Sequence, residues 1–527
     1  MSATSMPPPR PVGLRPVPLR ELAALVDAAV SVPGSAAGSV AGSDPSAADV
    51  AVSGISLRTG SVRPGDVFAA LPGSAAHGAS FAARAIADGA VAIVTDPAGY
   101  AALLPQFDTV PPVVIVDEPR ATLGTLAARI YDYPSRRLDV IGVTGTSGKT
   151  TSCYLIEAAL AAAGCRAGLI GTVVARIDGQ ALPSALTTPE APDLQALFAV
   201  MVQRGATAVA MEVSSHALAL GRVAGVEFAV AAFTNLSQDH LDFHGDMESY
   251  FAAKRLLFDG RARAEVVVID DDYGRRLAAA RPAARTVSGL PDGVADWTVR
   301  AERGRPGVQE MTISGPAGRH LQAQISLPGA FNVTNAVTAL ACVAAAGVDP
   351  AAAAPGLAAV QVPGRMERVD VGQPFLAIVD YAHKPAALAA VLDAVREHCA
   401  GRVIAVVGAG GDRDHGKRPV MGAVAARGAD LVIVTDDNPR SEEPAVIRAQ
   451  ILSGASDVAE SEIREIGDRR EAIRAAVAAA RPGDVVLVAG KGHEQGQEID
   501  GVVHPFSDTQ ELAAALTDLV AQPGRQP

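Results

Sequence analysis

Short apolar runs alternate with Ala-rich helical patterns along most of this chain, and this alternation constrains the fold more than any other feature. The runs carry few polar residues, as expected for strands that are buried on both faces of a sheet. Helical segments between such strands are typical of parallel connections. The pattern therefore predicts the α/β class with parallel-rich sheets. The clearest runs are VIGVTG (140–145), FLAIVDY (375–381), RVIAVVG (402–408), LVIVTDD (431–437) and DVVLVAG (484–490).

A chain of 527 residues has room for about three domains of roughly 150 residues each. The first 49 residues are rich in Pro, Ser, Gly and Ala, and residues 1–49 are predicted to be largely disordered or of low complexity. The changes in pattern that follow place a small α/β domain at 50–114, a central domain at 115–363 and a C-terminal domain at 364–527.

Composition excludes several classes of protein. The net charge of −12 argues against nonspecific nucleic-acid binding, which needs a basic surface. No apolar run approaches the roughly 18–20 residues that span a bilayer, and the Pro-rich N-terminus lacks the apolar core of a secretory signal. The four cysteines form no CxxC pair, which argues against a disulfide framework or a zinc site. We therefore expect a cytoplasmic protein without membrane insertion and without a nucleic-acid partner.

A glycine-rich loop, GVTGTSGKTT at 142–151, lies between an apolar strand and a helical pattern. Backbone N–H groups of such a loop can hold phosphates, Lys149 can reach the β- and γ-oxygens, and Thr150 can ligate Mg²⁺. Val143 occupies the usual first-glycine position, so the match with GxxxxGK[ST] is incomplete. The flanking elements nevertheless favour ATP binding over a merely flexible turn. The candidate contacts here are Thr144, Gly145, Thr146, Ser147, Gly148, Lys149 and Thr150.

Two further apolar strands end in residue types that bind metals. ATAVAMEVSSHAL (206–218) places Glu212 at its strand end, where enzymes with a phosphate loop keep a metal-binding acid. AVAAFTNLSQDHLDFHG (229–245) places His240 shortly after its strand. His240 and His244 are four residues apart, but no third ligand is evident nearby and a glycine follows. The sequence therefore does not predict zinc.

Lys254 shares a helical face with apolar residues in MESYFAAKRLLFDG (247–260). One interpretation is a lysine whose stem covers apolar surface while its ammonium reaches water. The other is a buried amine that loses its proton and reacts with CO₂ to form a carbamate, an anion able to hold Mg²⁺. The segment alone leaves both open. The neighbours on this face are Tyr250, Phe251, Leu257 and Phe258.

Polar loops follow at least three strands of the C-terminal domain. In VVGAGGDRDHGKRP (406–419), a dinucleotide fingerprint would need a glycine where Arg413 stands, so a polar ligand-binding loop is favoured instead. AGKGHE ends in Glu494, and TDDNPRSEEP (435–444) surrounds Arg440 with four carboxylates. Ligands bind at the carboxyl ends of parallel strands, so these loops predict a binding site. Taken alone, the last loop also fits an ordinary solvated turn.

Nine motifs occur together in one order, and this combination resembles the Mur ligase family of ATP-dependent, amide-forming enzymes of peptidoglycan assembly. The resemblance covers nearly the whole chain after about residue 50. It implies a UDP-binding N-terminal domain, a central ATPase and a Rossmann-like C-terminal domain that binds an amino acid. The motifs are TGTSGKTT, MEVSSHAL, TNLSQDHLDFHGDMESYFAAK, GAFNVTNAVTA, GRMERV, VDYAHKP, GGDRDHGKRP, DDNPR and AGKGHE.

The resemblance implies a ligase that uses ATP and Mg²⁺, and we expect it to act as a monomer. It would add meso-2,6-diaminopimelate to the D-Glu carboxylate of UDP-N-acetylmuramoyl-L-alanyl-D-glutamate, the UDP-muramoyl dipeptide, through an acyl phosphate. A lysine-adding member should lack the arginine of DNPR, and a folylpolyglutamate synthetase-like enzyme should lack GDRDHGKRP and AGKGHE. An inactive ATP-binding scaffold is disfavoured because the candidate catalytic residues are present. These are Lys149, Glu212, His240 and Lys254.

Further site residues are assigned by their position in the family motifs. The resemblance implies one Mg²⁺ at Thr150 and Glu212, and a second at His240 and carbamylated Lys254 (N6-carboxylysine). Additional ATP contacts would be Asn332, Asn335, Arg365 and Asp380. The UDP-muramoyl dipeptide would contact Leu57, Thr59, Ser74, Ala75, Ala76, Thr187, Thr188, Ser214 and Arg222. Diaminopimelate would contact Arg413, Asp437, Asn438, Pro439, Arg440, Gly490 and Glu494.

Four positions depart from the family pattern. SLRTG (56–60) stands where L-D-S-R is frequent, which puts Leu57 and Thr59 at the uridine positions. Leu186 and Leu220 stand where some relatives place Asn and Gln. Two polar contacts to the dipeptide are therefore expected to be absent or to be supplied by other residues.

Arg440 is the residue expected to select the amino acid. Lysine and meso-diaminopimelate share one amine-bearing end, but only diaminopimelate carries a second carboxylate. A fixed guanidinium presents a fork of donors that matches a carboxylate. The hypothesis is that Arg440, oriented by Pro439, binds this carboxylate while Arg413 takes the other one. Asp437 and Glu494 would then receive the distal ammonium.

Overall fold

A computed structural model describes residues 9–31, 49–73, 75–107, 111–183, 186–302, 308–397, 399–456, 458 and 461–521. The chain divides into two compact units. Unit 1 runs to Ser288 and also includes residues 294–297 and 338–356. Unit 2 comprises residues 289–293, residues 298–337 and the chain from Leu357 onward. The glycine-rich loop therefore belongs to unit 1, and the polar strand-end loops belong to unit 2.

Unit 1 opens with seven short strands: β1 (Val17–Pro18), β2 (Val30–Ser31), β3 (Ala51–Val52), β4 (Gly54–Ser56), β5 (Asp66–Ala70), β6 (Ala92–Thr95) and β7 (Val113–Ile115). Five of them form a sheet in the order β2-β7-β6-β5-β4, in which β4 to β7 are parallel. The accompanying helices are α1 (Leu19–Ala24), α2 (Ala82–Ala87), α3 (Pro97–Leu103) and α4 (Pro119–Ile130).

The structure differs from the expectation for residues 1–49, because part of this segment packs onto the first sheet. β1 pairs with β3, and β2 extends the sheet beside β7. α1 buries Leu19 and Leu22, and Arg10 pairs with Asp66 at 3.1 Å. Strands of two residues carry no readable periodicity, so the sequence pattern does not reveal them. The rest of the segment, 1–8 and 32–48, lies outside the described residues.

A second, larger group of paired strands in unit 1 follows. Its strands are β8 (Asp139–Thr144), β9 (Ala167–Ile170), β10 (Ala175–Ile177), β11 (Gln180–Leu182), β12 (Ala208–Glu212), β13 (Phe228–Phe233), β14 (Ala262–Val268) and β15 (Arg285–Ser288). The order is β11-β10-β9-β12-β8-β13-β14-β15. β9, β12, β8, β13, β14 and β15 run parallel to one another. β10 and β11 form an antiparallel hairpin, and β10 also pairs antiparallel with β9. The carboxyl ends of β12, β8 and β13 therefore meet at one edge.

Side chains set where several helices of unit 1 begin. Ser214 accepts the N–H of Ala217, and Asp246 accepts that of Ser249. Such N-caps satisfy donors that the first helical turn leaves free. The second cap fixes the start of the helix that carries Lys254. These helices are α5 (Lys149–Ala162), α6 (Ala191–Gln203), α7 (Ser215–Ala219), α8 (Leu241–His244), α9 (Met247–Arg255) and α10 (Asp272–Ala280).

Three antiparallel strands and two helices follow in the sequence. The strands are β16 (Trp297–Glu302), β17 (Gln309–Gly315) and β18 (Arg319–Ile325). The helices are α11 (Ala330–Ala345) and α12 (Pro350–Ala353).

A six-stranded sheet forms the centre of unit 2. Its strands are β19 (Glu367–Arg368), β20 (Leu376–Asp380), β21 (Val403–Val407), β22 (Leu431–Val434), β23 (Glu462–Glu465) and β24 (Val485–Ala489). The order is β19-β20-β24-β21-β22-β23, and all but β19 run parallel. A hairpin of β25 (Gly496–Ile499) and β26 (Val502–Pro505) follows. The helices are α13 (Pro385–Glu397), α14 (Lys417–Gly428), α15 (Pro444–Ala455), α16 (Arg469–Ala479) and α17 (Asp508–Val520).

Both units combine parallel-rich sheets with helices, which confirms the predicted α/β class. The central strands β8, β12, β21, β22 and β24 are buried almost throughout, as their continuous apolar sequences require. In the part of the chain that the structure describes, we find no helix with both the length and the apolar character that a bilayer crossing requires.

Candidate active site

The glycine-rich loop joins β8 to α5, as its sequence predicts. Gly148 precedes the helix with φ +84°, and Gly145 has φ +151°. Both values lie in the region that favours glycine. A Cβ on Gly145 would also collide with Thr234 Oγ1. The loop therefore turns tightly and presents the N-terminus of a 14-residue helix, an arrangement that binds phosphate.

Residues that follow β13 support this loop, and sequence reasoning missed them. Asn235 Oδ1 accepts a hydrogen bond from Ser147 N at 2.9 Å, and Thr234 Oγ1 donates to Ser147 O at 2.7 Å. The Thr146 N–H donates to Asn235 O at 2.9 Å. Because β13 runs parallel to β8, its end lies beside the loop. The available signal was the polar pair directly after an apolar strand.

Two lysines donate to one carbonyl of the loop. Lys149 Nζ lies 2.8 Å from Gly145 O and 2.9 Å from Thr146 O, and Lys254 Nζ lies 2.7 Å from Gly145 O. Lys254 is 1% exposed, and its Nζ lies 4.5 Å from the centroid of the Tyr250 ring. Its ammonium therefore does not reach water, which removes the interpretation of Lys254 as a solvent-reaching surface lysine.

Glu212 ends β12, the neighbour of β8, at the same edge. Glu212 is 1% exposed, and its carboxylate accepts hydrogen bonds from Thr172 N at 2.8 Å and Thr172 Oγ1 at 3.2 Å. Burial and then the charge of Glu212 raise the pKa of Cys153 on α5 well above its usual value. Thr150, also buried, lies in the first turn of that helix. Because both donors on Thr172 are uncharged, they do not neutralise the Glu212 carboxylate, and its negative charge can still attract a cation.

The residues predicted for the muramoyl dipeptide lie around the end of β12. Thr188 Oγ1 donates to Glu212 O at 2.9 Å and accepts from Ser214 N at 3.1 Å. Thr187 Oγ1 lies 3.0 Å from the hydroxyl of the threonine that holds Glu212. Arg222 Nη1 donates to Thr188 O at 3.3 Å. The structure thus brings four predicted contacts together beside the candidate metal ligand Glu212.

His240 and Lys254 both approach Tyr250. The His240 ring centroid lies 6.2 Å from the Tyr250 ring, and His240 Nε2 pairs with Asp239 at 3.1 Å. His216, which sequence spacing did not connect with this site, lies 4.8 Å from His240 between ring centroids. In the described ranges, no three or more His, Cys, Asp or Glu side chains are grouped to hold a metal ion. A metal ion bound here would therefore need further ligands, such as the oxygens of hydroxyl groups and of a modified lysine.

One predicted uridine loop follows β4. Leu57 packs partly against the core of the first domain, and Thr59 begins a short 3-10 turn. Between them, Arg58 pairs with Asp193 at 2.7 Å. Asp193 lies in the first turn of α6, directly after the segment that carries Thr188. The loop is thus tied to the dipeptide segment within unit 1.

Another loop predicted to contact the UDP-muramoyl dipeptide follows β5. Ala75 and Ala76 are exposed there, and Ser74 lies outside the described residues. His77 fixes the end of this loop, because its Nδ1 accepts a backbone N–H at 3.0 Å and its Nε2 lies 3.1 Å from Asp96 Oδ1. The small side chains of Ala75 and Ala76 would allow a ligand to approach the backbone of this loop.

Unit 2 holds four of the predicted ATP contacts. On α11, Asn335 Nδ2 donates to Asn332 Oδ1 at 3.1 Å. The Arg365 guanidinium lies 4.3 Å from the centroid of the Tyr381 ring, and its buried Nε has no hydrogen-bond partner among the described residues. Asp380 accepts two backbone N–H groups at 2.7 Å, and burial raises its pKa although Arg365 opposes this. The unsatisfied Nε is a donor that a bound ligand could use.

The strand-end loops of unit 2 come together because β24, β21 and β22 are adjacent and parallel. Asp437 and Asn438 follow β22, and Glu494 follows β24. Asn438 Nδ2 donates to Glu494 Oε2 at 2.9 Å. Arg413, after β21, is exposed. Lys491, fully buried among these residues, was not selected from the sequence.

Arg440 is held by its backbone and by its side chain. Its φ of +53° is unusual for a residue other than glycine, and such conformations concentrate at functional sites. The Arg440 N–H donates to Glu498 O at 3.0 Å, and Arg440 O accepts from Asp500 N at 2.7 Å. Nη1 donates to Gly411 O at 2.6 Å, and Nε pairs with Glu498 at 3.2 Å. The guanidinium is therefore fixed between two loops, unlike a freely solvated turn residue.

The four acids of TDDNPRSEEP do not cluster on Arg440, which corrects the expectation from their spacing. Asp436 pairs with Arg448 at 2.5 Å. Glu442 accepts hydrogen bonds from Arg418 through both oxygens, at 2.8 and 2.9 Å. These bonds lower the pKa of Glu442 to about 2. Asp436 and Glu442 instead fasten the loop to neighbouring helices, because each pairs with an arginine of α15 or α14.

Gly490 is a position where we expect alanine to be costly. Its φ is +120°, and a Cβ there would lie 2.6 Å from Asp437 Oδ2. Gly490→Ala should lower the free energy of unfolding by about 1–3 kcal/mol through backbone strain and displacement of the Asp437 carboxylate. Urea unfolding measures this. Gly501→Ala is the matched control, since Gly501 has φ +74° with nothing within 4 Å of an added Cβ. Equal costs for both variants would show that the Asp437 contact has no effect.

Three family models match the chain one after another. "Mur ligase family, catalytic domain" matches residues 51–131, "Mur ligase middle domain" matches residues 143–343, and "Mur ligase, glutamate ligase domain" matches residues 364–492. Together they span more than half of its length. The chain belongs to the Mur ligase family. The resemblance drawn from the nine motifs is therefore confirmed.

Relatives of this Mur ligase are similar along most of their length. A Corynebacterium glutamicum protein is 53% identical over 478 residues, which cover 89% of this chain and 92% of the relative. A Streptomyces coelicolor protein is 51% identical over 521 residues, which cover 97% of this chain and 98% of the relative. Both are named UDP-N-acetylmuramoyl-L-alanyl-D-glutamate–2,6-diaminopimelate ligase.

Solved structures share the fold of this Mur ligase. A structure of a UDP-N-acetylmuramoyl-L-alanyl-D-glutamate–2,6-diaminopimelate ligase is 32% identical with a TM-score of 0.66, and the match covers 96% of this chain and all of the other. MurF ligase from Thermotoga maritima, in complex with ADP, is 20% identical with a TM-score of 0.60, and the match covers 88% of this chain and 97% of the other. The second likeness concerns the fold alone.

Proposed function

We propose that this Mur ligase uses ATP to add meso-2,6-diaminopimelate to the D-Glu carboxylate of UDP-N-acetylmuramoyl-L-alanyl-D-glutamate in peptidoglycan biosynthesis. The observation that carries the proposal is the edge of the unit 2 sheet. There a fixed Arg440 lies on the same loop as Asn438, and Asn438 donates a hydrogen bond to Glu494 of the loop after β24. An arginine near a carboxylate suits an amino acid with both an ammonium and a carboxylate at its distal end. Relatives named for this activity are 50–55% identical.

ATP is assigned to the loop between β8 and α5. Its backbone N–H groups and the helix N-terminus would cradle the phosphates, with Lys149 beside them. Thr150 and Glu212 would hold one Mg²⁺, and their hydroxyl and carboxylate oxygens suit that ion. His240 and modified Lys254 would hold a second. When bound, Mg²⁺ would neutralise charge on the transferring phosphoryl group.

Carbamylation of Lys254 is favoured by its surroundings. Lys254 and Lys149 donate to the same Gly145 carbonyl, so two ammonium groups would lie close together in a buried site. Like charges in such a site repel, and conversion of one of them to an anion removes the repulsion. The neutral amine attacks CO₂, a C–N bond forms, and one proton leaves to solvent. The resulting carbamate supplies oxygens where the amine supplied none.

The reaction follows from these positions. The D-Glu carboxylate attacks the γ-phosphorus, the bond to the β,γ-bridging oxygen breaks, and ADP leaves behind an acyl phosphate. The substrate amine then attacks the acyl carbon, loses a proton, and phosphate leaves from the tetrahedral intermediate. Lys149 would stabilise charge on the phosphoryl oxygens, because positioning and electrostatics dominate such transfers.

The amino-acid substrate is assigned to unit 2. Arg440 would bind the distal carboxylate through its fork of donors, and exposed Arg413 would take the other carboxylate. Asp437 and Glu494 would receive the distal ammonium. Lysine leaves Arg440 without its anion, so it should be a poor substrate.

One assay tests the proposal. Phosphate release is measured with ATP, Mg²⁺ and UDP-muramoyl dipeptide, in the presence of diaminopimelate, lysine or no amino acid. Release that requires diaminopimelate supports the proposal. Phosphate release at an equal rate with lysine would show that the enzyme does not select diaminopimelate. Phosphate release without the dipeptide would show that the dipeptide is not the acceptor substrate.

Arg440→Ala should lower kcat/KM for diaminopimelate at least about a hundredfold, the scale of a lost charge-assisted contact of roughly 3 kcal/mol. Lysine turnover should stay low and change far less, since lysine has no distal carboxylate. Steady-state kinetics with both amino acids measures the difference. Arg464→Ala is the control, because Arg464 is an exposed arginine of the same unit that pairs with Glu462. If the Arg440→Ala variant keeps its preference for diaminopimelate over lysine, Arg440 does not select the substrate and is an ordinary charged residue of the loop.

The remaining assignments complete the proposal. Residues 50–114 would bind the UDP moiety, residues 115–363 would bind ATP, and residues 364–527 would bind the amino acid. The enzyme would act as a monomer in the cytoplasm. Size-exclusion chromatography with light scattering measures the oligomeric state, and a stable dimer would contradict that part.

A further inference from the structure

A fully buried lysine lies beneath the residues assigned to the amino-acid substrate. Lys491, 0% exposed, follows β24. Its Nζ donates to Asn438 Oδ1 at 2.8 Å and to Glu494 Oε2 at 3.2 Å, and it lies 3.9 Å from Asp437 Oδ1. Lysine is rarely buried unless it is paired. Here its three neighbours are all predicted contacts of the substrate, so its burial connects it with recognition.

These contacts fix the orientation of the amide and of the carboxylate. Asn438 Oδ1 accepts from Lys491 and from Glu498 N at 3.0 Å, which leaves Nδ2 to donate to Glu494 Oε2 at 2.9 Å. Glu494 Oε2 therefore receives two donors. No other described residue donates to its second oxygen, Oε1, which remains for a ligand.

The same lysine sets the charge of the cluster. Asp437 and Glu494 carry two negative charges, and Lys491 offsets one of them. The nearby buried Arg469 is matched by Asp508 through two bonds of 2.7 Å. The pair Arg440–Glu498 is likewise balanced. One uncompensated negative charge is left, which suits one ammonium group.

We infer that Lys491 is a positioning residue for substrate recognition: it orients Asn438 and Glu494 and leaves their cluster one negative charge for the distal ammonium of the amino acid. This role rests on the proposed function. The side chain acts through its two partners and is not assigned a contact with substrate. Lysine supplies a compact cation with three donors for this purpose, whereas arginine is planar and larger.

Lys491→Met and Lys491→Arg separate charge from orientation. The methionine variant keeps an unbranched stem but removes the cation, so KM for diaminopimelate should rise roughly ten- to a hundredfold. Asp437 and Glu494 would then be harder to ionise together. The acidic side of the pH profile of kcat/KM should therefore shift to higher pH by at least about half a unit. The arginine variant should raise KM about fivefold without this shift. KM for ATP and for the dipeptide should change less than about twofold in both.

Arg474→Met is the matched control, because Arg474 is an exposed cation of unit 2 that pairs with Glu471. It should leave every constant unchanged. An unchanged KM in Lys491→Arg overturns the orienting role, and the absence of this pH shift in Lys491→Met overturns the charge role. If the methionine variant fails to fold, the arginine variant alone decides the orienting role. A wild-type enzyme that turns over no amino acid overturns the proposed function and this inference together, so the two failures are distinguishable.

Discussion

Lys149→Met is expected to lower ligase activity at least about a thousandfold, the scale on which a cation accelerates phosphoryl transfer by stabilising the transferring charge. Lys149 begins α5 and lies against two carbonyls of the glycine-rich loop, so its amine is at the place assigned to the ATP phosphates. Methionine keeps the stem and removes the charge. The acyl phosphate should no longer form, which trapping with hydroxylamine measures directly.

Binding of the UDP-muramoyl dipeptide should survive in Lys149→Met, because the predicted dipeptide contacts lie around β12. Isothermal titration calorimetry checks this. Arg275→Ala removes an exposed cation of the same unit, which pairs with Asp272 at 2.5 Å, and should behave as wild type. Normal trapping of acyl phosphate in Lys149→Met would contradict the role given to the lysine.

Lys254→Ala is expected to lower activity about a hundred- to a thousandfold, the cost of removing one group that stabilises the transferring charge. The fold should persist, because the side chain ends in the site and α9 keeps its Asp246 cap. If the carbamate matters through its oxygens, acetate should restore part of the turnover. A simple loss of packing would not respond to acetate.

The neighbouring residue gives the control for this experiment. Arg255 is exposed on the same helix, and Arg255→Ala should keep full activity without any response to acetate. Wild-type turnover in Lys254→Ala would show that the buried amine has no part in catalysis. Loss of activity without rescue, together with normal thermal unfolding, would argue for the amine itself over its carbamate.

The sequence predicts much of the fold because its strands are continuous apolar runs. β8, β12, β22 and β24 lie where those runs place them, and their last residues open the candidate sites. The face shared by Lys254 and Tyr250 could also be predicted, since it follows from helical spacing within nine residues of α9. Patterns of this kind are local, so one sequence suffices to read them.

The missed residues act across long separations in the chain. Thr172 reaches Glu212 over 40 residues, Ser147 reaches Asn235 over 88, and Lys491 reaches Asn438 over 53. No local period marks such pairs, because they form only when parallel strands bring their ends together. For the same reason the acids beside Arg440 in sequence are not its partners in the fold.

The most direct test of the account uses dipeptide whose D-Glu carboxylates carry ¹⁸O. The enzyme is given this substrate with ATP, Mg²⁺ and diaminopimelate, and mass spectrometry follows both products. We predict that one ¹⁸O appears in the released phosphate and that the UDP product gains one diaminopimelate in amide linkage. Phosphate free of label, or a product without diaminopimelate, would contradict the account.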